Sequence, residues 1–192
     1  AAGLNRPFRG EICVRDMIMN GKDHHAFRDR GITFLPTSRL EEGLISGLSI
    51  TEHFALRDNN LGFFIKWFEA FQKAARGIER FRISGTPDSI VESLSGGNQQ
   101  RLLLSFLSED PVLLLLENPT RGLDLESAHW IWAHLRKYCE KDTAIVFSSS
   151  ELDEILMVAD RVIVFFDGTV VKDVQTCETD VRELGHAIAG KI

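Results

Sequence analysis

The segment Leu94-Ser95-Gly96-Gly97-Asn98-Gln99-Gln100 is the part of this chain best suited to meet an anion. Two adjacent glycines let the main chain approach a ligand closely, and Ser95 can donate a hydroxyl hydrogen bond. The leucine-rich stretch that follows predicts a helix whose N-terminus points at the same spot, where backbone N–H groups and the helix dipole favour negative charge. Taken alone, Ser-Gly-Gly would be a flexible loop; its surroundings decide otherwise. Glu117 and Asn118 close the apolar run Val112 to Leu116 and precede Pro119-Thr120 and Arg121-Gly122-Leu123-Asp124. A carboxylate there can meet a cation. An amide such as Asn118 accepts no proton near pH 7, so general-base help, typically about 10²–10⁴-fold, is lost at that position.

Other candidates are weaker. His24-His25 lacks a companion carboxylate or cysteine at metal spacing and reads as a solvated pair. His129 and His134 are five apart, which does not put both on one helix face. Glu151, Asp153 and Glu154 follow Ser148-Ser149-Ser150 and read as the capped first turn of a helix.

The elements that must position these residues alternate between strand and helix. Residues 1–4 read as the last turn of a helix, Glu11 to Met19 as strand with a turn at Asn20-Gly21, and Ile32 to Leu35 as a short strand ended by Pro36. Phe63, Phe64, Trp67, Phe68, Phe71, Ala74 and Ala75 recur at helical spacing, which predicts a helix packing this stripe into its own core. Val112 to Leu116, which has the length of a buried strand, and Ala144 to Phe147 read as strands, separated by a helix with Ala128, Ile131, Trp132, Leu135 and Cys139 on one face. Strands joined by helices imply parallel pairing. Beyond a helix at 151–158, Asp167-Gly168 marks a hairpin between Arg161 to Phe166 and Thr169 to Val174.

Composition sets outer limits. The 192 residues suffice for one α/β domain with an inserted subdomain, and 44% hydrophobic with 26% charged residues is ordinary for a globular protein. A net charge of −6 argues against nucleic acid as a partner. Cys13, Cys139 and Cys177 form no CxxC pair, so neither a disulfide scaffold nor a zinc site is suggested. No stretch approaches the roughly 18 apolar residues of a membrane span.

Taken in order, the motifs resemble those of ABC ATPases, in the form found in the second ATPase half of sugar and nucleoside importers. Leu94 to Gln100 is similar to the signature loop, Val112 to Thr120 to the Walker B strand, and Arg121 to Asp124 to the D-loop. Ser148 to Glu154 falls at the switch segment, and Asp160 to Gly168 resembles the closing strand pair. Gly31 to Arg39 with Glu41-Glu42-Gly43-Leu44 resembles the Q-loop segment, and Leu184 to Gly190 the C-terminal tail. The resemblance covers nearly the whole chain. It implies a P-loop NTPase-like α/β fold with a parallel-sheet core (1–44 and 101–192) and an inserted helical subdomain (45–100). It also implies ATP and Mg²⁺ as ligands, with Leu94, Ser95, Gly96, Gly97, Asn98, Gln99 and Asp124 contacting nucleotide. The implied partners are a second ATPase half, an integral-membrane permease touched by the aromatic helix, and through it an extracytoplasmic solute-binding protein. The implied place is peripheral, on the cytoplasmic face of the plasma (inner) membrane. Gly85 to Asp88 and Ser150 to Glu154 look more like nucleoside than ribose or galactose importers.

The departures point to a division of labour. No Gly-x-x-x-x-Gly-Lys-[Ser/Thr] occurs in these residues, for which N-terminal truncation is the simplest account. Glu117 stands where the family has its magnesium-linked aspartate, Asn118 at its catalytic glutamate, Ser150 at its switch histidine and Thr37 at its Q-loop glutamine. The expectation is a chain that donates its signature loop to a partner's ATP site while its own site is degenerate. The alternative is a non-catalytic regulatory nucleotide-binding module of a soluble ABC protein. The purified 192-residue chain is therefore expected to hydrolyse no ATP above an inert control, and steady-state turnover above that control would overturn the expectation.

Overall fold

A short antiparallel hairpin, β1 (Cys13–Val14) and β2 (Met17–Ile18), leads into α1 (His24–Asp29) and β3 (Ile32–Leu35). The computed structural model describes residues 2–58, 64–108, 110–140 and 142–191. Where one strand was expected over 11–19, the chain reverses at Arg15, whose φ of 53° makes the turn. Asn20 closes the hairpin's base, accepting from Ile12 N (2.8 Å) and donating through Nδ2 to Gly10 O (2.9 Å). Residues 2–5 are not helical, since Gly3 takes φ 76°, and Ala1 lies outside the described residues.

A π-helical turn (Arg39–Gly43) follows β3, then α2 (Ile50–Leu56), α3 (Trp67–Phe81), a 3₁₀ turn (Val91–Ser93) and α4 (Gly96–Ser105). Next come β4 (Leu113–Glu117), α5 (Leu125–Cys139) and β5 (Ala144–Ser148). These three strands form one sheet in the order β3-β4-β5, and β3 pairs with β4 in parallel, Ile32 opposite Leu113 through Leu35 opposite Leu116. Alternation along β4 splits its leucines between the faces. Leu113 and Leu115 pack against Val14, Met19, Phe27 and Ile32, while Leu114 and Leu116 are fully buried on the other face.

A capping box starts α2: Ser49 Oγ accepts from Glu52 N (3.2 Å), and the Glu52 carboxylate accepts from Ser49 N (2.6 Å). The aromatic stripe of α3 does not face its core. Phe64 is 80% and Phe68 74% exposed, with Trp67 and Phe71 also exposed, and the buried stripe is Ala70, Ala74, Gly77 and Phe81. The reason is steric. A Cβ at Gly77 would lie 2.7 Å from Phe54 Cζ, so only a small-residue face lets α3 come this close to α2. Phe54 meets Phe106 edge-on at 5.0 Å, and Phe106 stacks on His53 at 6.2 Å. Phe63, the first residue of the expected stripe, lies outside the described residues.

The chain divides into two compact units, Ala1–Phe147 and Ser148–Ile192. The second holds α6 (Leu152–Val158), the antiparallel pair β6 (Arg161–Phe166) and β7 (Thr169–Gln175), and α7 (Val181–Ile188). Its core is Val162 and Val164 of β6 against Leu184 and Ala187 of α7. Asp167 and Gly168 both take positive φ, as the Asp-Gly signal predicted. Arg161 donates through Nε and Nη2 to both Asp173 oxygens at 2.6 Å. Among the described residues no helix is long and apolar enough to cross a membrane.

His53 is buried and engaged at both ring nitrogens. Nδ1 lies 2.8 Å from Ser49 O, and Nε2 accepts from Ile45 N at 2.8 Å. Those partners require a neutral ring, and burial, the largest cause, holds its pKa below the ordinary 6.5. A depressed folded pKa means that the unfolded chain takes up the proton first. Its contribution is thus full above pH 6.5 and is lost as pH falls from there through the folded value. Urea midpoints should fall between pH 8 and 5.5, above the carboxylate range, and His53→Gln should flatten that slope. An unchanged slope would remove His53 as its source.

Candidate functional site

The parallel pairing of β3 and β4 brings the residues just past both strand ends together. Thr37 N donates to Glu117 Oε2 (3.2 Å), and Asn118 Nδ2 donates to Thr37 Oγ1 (3.0 Å). Three of the four expected catalytic positions therefore share one hydrogen-bonded cluster. Asn118 sits at φ 45°, a left-handed conformation that asparagine tolerates better than most residues. Its carbonyl accepts from Arg121 N (3.1 Å), and that of Thr120 from Leu123 N (3.1 Å), so the chain leaves β4 through two consecutive turns. A cleft of about 450 Å³ opens beside Glu117, lined also by His24, Phe34, Pro36, Glu42 and Leu103.

The first turn of α4 carries the anion-binding candidates. Ser95 is the N-cap: its Oγ accepts from Asn98 N (3.4 Å) and Asn98 Nδ2 (2.9 Å). Both contacts use lone pairs, which leaves the hydroxyl proton for a ligand. Gln99 N bonds Ser95 O, so Gly96 and Gly97 keep the orphan N–H groups of the turn. Asn98 Oδ1 accepts from Ser84 N (2.9 Å). Gln99 is buried, donating through Nε2 to Val91 O and Leu94 O, and Leu94 is itself buried; these two hold the loop from within.

Asp124 is the N-cap of α5. Its Oδ1 accepts from Ser127 N (2.9 Å) and its Oδ2 from Ser127 Oγ (2.7 Å), capping α5. The Ser127 hydrogen bonds, side chain first, hold its carboxyl below the usual range. Arg101 Nη2 completes the network on Ser127 Oγ (2.6 Å).

Arg39 and Gln100, which were not among the expected site residues, join the same region. Arg39 Nε donates to Gln100 Oε1 (3.0 Å) and Nη2 to Arg121 O, while Gln100 Nε2 donates to Pro119 O (2.9 Å). Nothing in the local pattern separates Arg39 from a surface arginine. Ser150 belongs to the second unit, where its Oγ donates to Glu151 Oε1 (3.4 Å). Beside it, Ser149 Oγ donates to Glu154 Oε2 (2.5 Å) and accepts from Glu151 N (3.1 Å), so Ser149 organises the start of α6.

No family model matches the chain. Among curated proteins it is 30% identical to the glucose import ATP-binding protein TsgD13 of Haloferax volcanii, over 98% of this chain and 36% of that protein. It is 31% identical to the ribose import ATP-binding protein RbsA 2 of Rubrobacter xylanophilus, over 88% of this chain and 33% of that protein. It is 35% identical to the arabinose import ATP-binding protein AraG 1 of Burkholderia ambifaria, over 93% of this chain and 37% of that protein. The chain thus spans little more than a third of the length of these relatives. Among solved structures it superposes on the dimeric, post-hydrolysis ATP-binding cassette MJ0796 bound to ADP and Pi, with a TM-score of 0.75 and 22% identity over 91% of this chain and 77% of that one. The cassette MJ1267 gives 0.75 and 18%, over 98% and 76%. The fold is that of an ABC ATPase cassette.

The Asp124 cap generates its own test. Asp124→Ala removes both acceptors of Ser127 and should lower the thermal midpoint of the chain by several degrees, whereas Asp124→Asn, which can still cap, should keep most of it. Equal losses in the two variants would assign the effect to charge and not to capping.

Proposed function

We propose, from the premise that this chain is a homologue of sugar-import ABC ATP-binding proteins with the cassette fold, that it forms part of one ATPase half of an importer and completes an ATP site on a partner half. The observation that carries the reading is the first turn of α4, where the Gly96 and Gly97 N–H groups and the Ser95 hydroxyl proton are all available to a phosphate. Leu94, Asn98 and Gln99 keep that loop in shape.

Its own site is the weaker one. Glu117 gives one oxygen to Thr37 N, and a single carboxylate suits a magnesium ion that keeps most of its waters. Bound magnesium with ATP would supply charge neutralisation at the phosphates. Asn118 and Ser150 accept no proton near pH 7, and Thr37 is spent on Glu117 and Asn118. Residues 1–44 and 101–192 serve as nucleotide-binding core, with 45–100 as the helical subdomain.

The wider assembly follows from the same reading. The exposed face of α3, with Trp67, Phe68 and Phe71, would dock on a membrane permease, and in this reading the protein lies peripherally on the cytoplasmic face of the membrane. The permease in turn would receive solute from an extracytoplasmic binding protein. A sugar is favoured over a nucleoside as that solute, because the relatives named import glucose, ribose and arabinose.

The test compares two surfaces in the full-length protein assembled with its partner half and permease. Ser95→Arg or Gly96→Asp puts bulk or a like charge where backbone N–H groups should meet phosphate, and should abolish most ATP turnover. Asn118→Ala removes a residue that cannot act as a base, so turnover at saturating ATP should change less than about tenfold, roughly 1.4 kcal/mol of barrier. If Asn118→Ala proves as damaging as Gly96→Asp, the proposed division of labour is wrong.

A further inference from the structure

We propose that Arg39 is a positioning residue that clamps the first turn of α4 and the 119–122 turn to the Thr37 segment, so that the two candidate surfaces of this chain move as one piece. The proposal rests on the reading of those surfaces given above and adds a residue and a coupling to it.

Two of the three guanidinium nitrogens donate hydrogen bonds. Nε reaches Gln100 Oε1 (3.0 Å) and Nη2 reaches Arg121 O. A Cβ at Gly96 would lie 2.5 Å from Nη1, and one at Gly122 would lie 2.9 Å from Nη2, so two backbones press against the guanidinium from different elements. The amide of Gln100 extends the clamp. It is 1% exposed, and only one orientation lets it accept from Arg39 while donating to Pro119 O (2.9 Å). Two residues before Arg39, Thr37 is bonded to Glu117 and Asn118. A stretch of three residues therefore ties the end of β4, the turn after it and the helix carrying Ser95 together.

Electrostatics argues that geometry, not charge, put Arg39 there. Burial first, and then the cation of Arg121, disfavour a guanidinium at this place, and the positive end of α4 adds to them. A long, flexible cation would otherwise turn outward to water. What holds it is a set of directional bonds that fits a planar fork and that the single ammonium of lysine cannot reproduce.

The experiment uses the full-length protein with its partner half and permease, and steady-state ATPase kinetics. Arg39→Ala should lower kcat at least tenfold while KM for ATP stays within twofold, since Arg39 positions the loop and touches no nucleotide. Arg39→Lys should fail to rescue. Gln100→Leu should act like Arg39→Ala, and the double variant should be no more than twofold worse than either single one. Wild-type kcat in Arg39→Lys, or a raised KM with kcat kept in Arg39→Ala, would overturn the proposal; should Arg39→Ala not assemble, Arg39→Lys is read by the same kcat and KM criteria. Ser95→Arg in the same preparation separates the two claims. If it leaves turnover intact, the proposed function itself fails; if it abolishes turnover and the Arg39 and Gln100 variants do not lower kcat, only the clamp fails.

Discussion

Parallel pairing of β3 with β4, Leu35 opposite Leu116, is the constraint on which the candidate site depends. It ends both strands at the same level, which is where ligands gather in open α/β sheets. Thr37 and Glu117-Asn118 are then neighbours by register, although they lie about eighty positions apart in the chain. A slip of one residue would turn Leu114 and Leu116 out of the buried face and separate Thr37 from both partners. The same pairing fixes where the chain leaves β4, and so where the turns at 118–123 meet α4.

The left-handed backbone at Asn118 has a structural logic. An amide there both tolerates the conformation and donates to Thr37 Oγ1, a bond that an ionised carboxylate could not donate. The short side chain of Thr37 fits that contact. Thr37, Glu117 and Asn118 thus form one cluster that closes on itself, in contrast to the open donors at Gly96 and Gly97.

Patterns that depend on local periodicity or on ordered motifs were legible in the sequence. β3, β4, β5, α5 and the Asp167-Gly168 hairpin lie close to where their apolar runs and turn residues put them, and the chain's cassette fold follows from the motif order. Legibility failed where a distant partner decides. The aromatic residues of α3 are spaced like a core face, yet the face that packs is the small one, because Phe54 comes too near Gly77 for anything larger. The contacts of Arg39 could not be read in the same way, because its partners lie in two remote segments. Neither case depends on nearest neighbours in sequence.

The closeness of Gly77 to Phe54 also has an evolutionary consequence. A single methyl at 77 would have to displace the Phe54 ring, which meets Phe106 edge-on, which in turn stacks on the imidazole of His53. The disturbance would run along a file of three rings to the residue that holds Ile45 and Ser49 ahead of α2. Drift at position 77 is therefore tied to drift at 54, and related sequences that carry a larger residue at the first should carry a smaller one at the second.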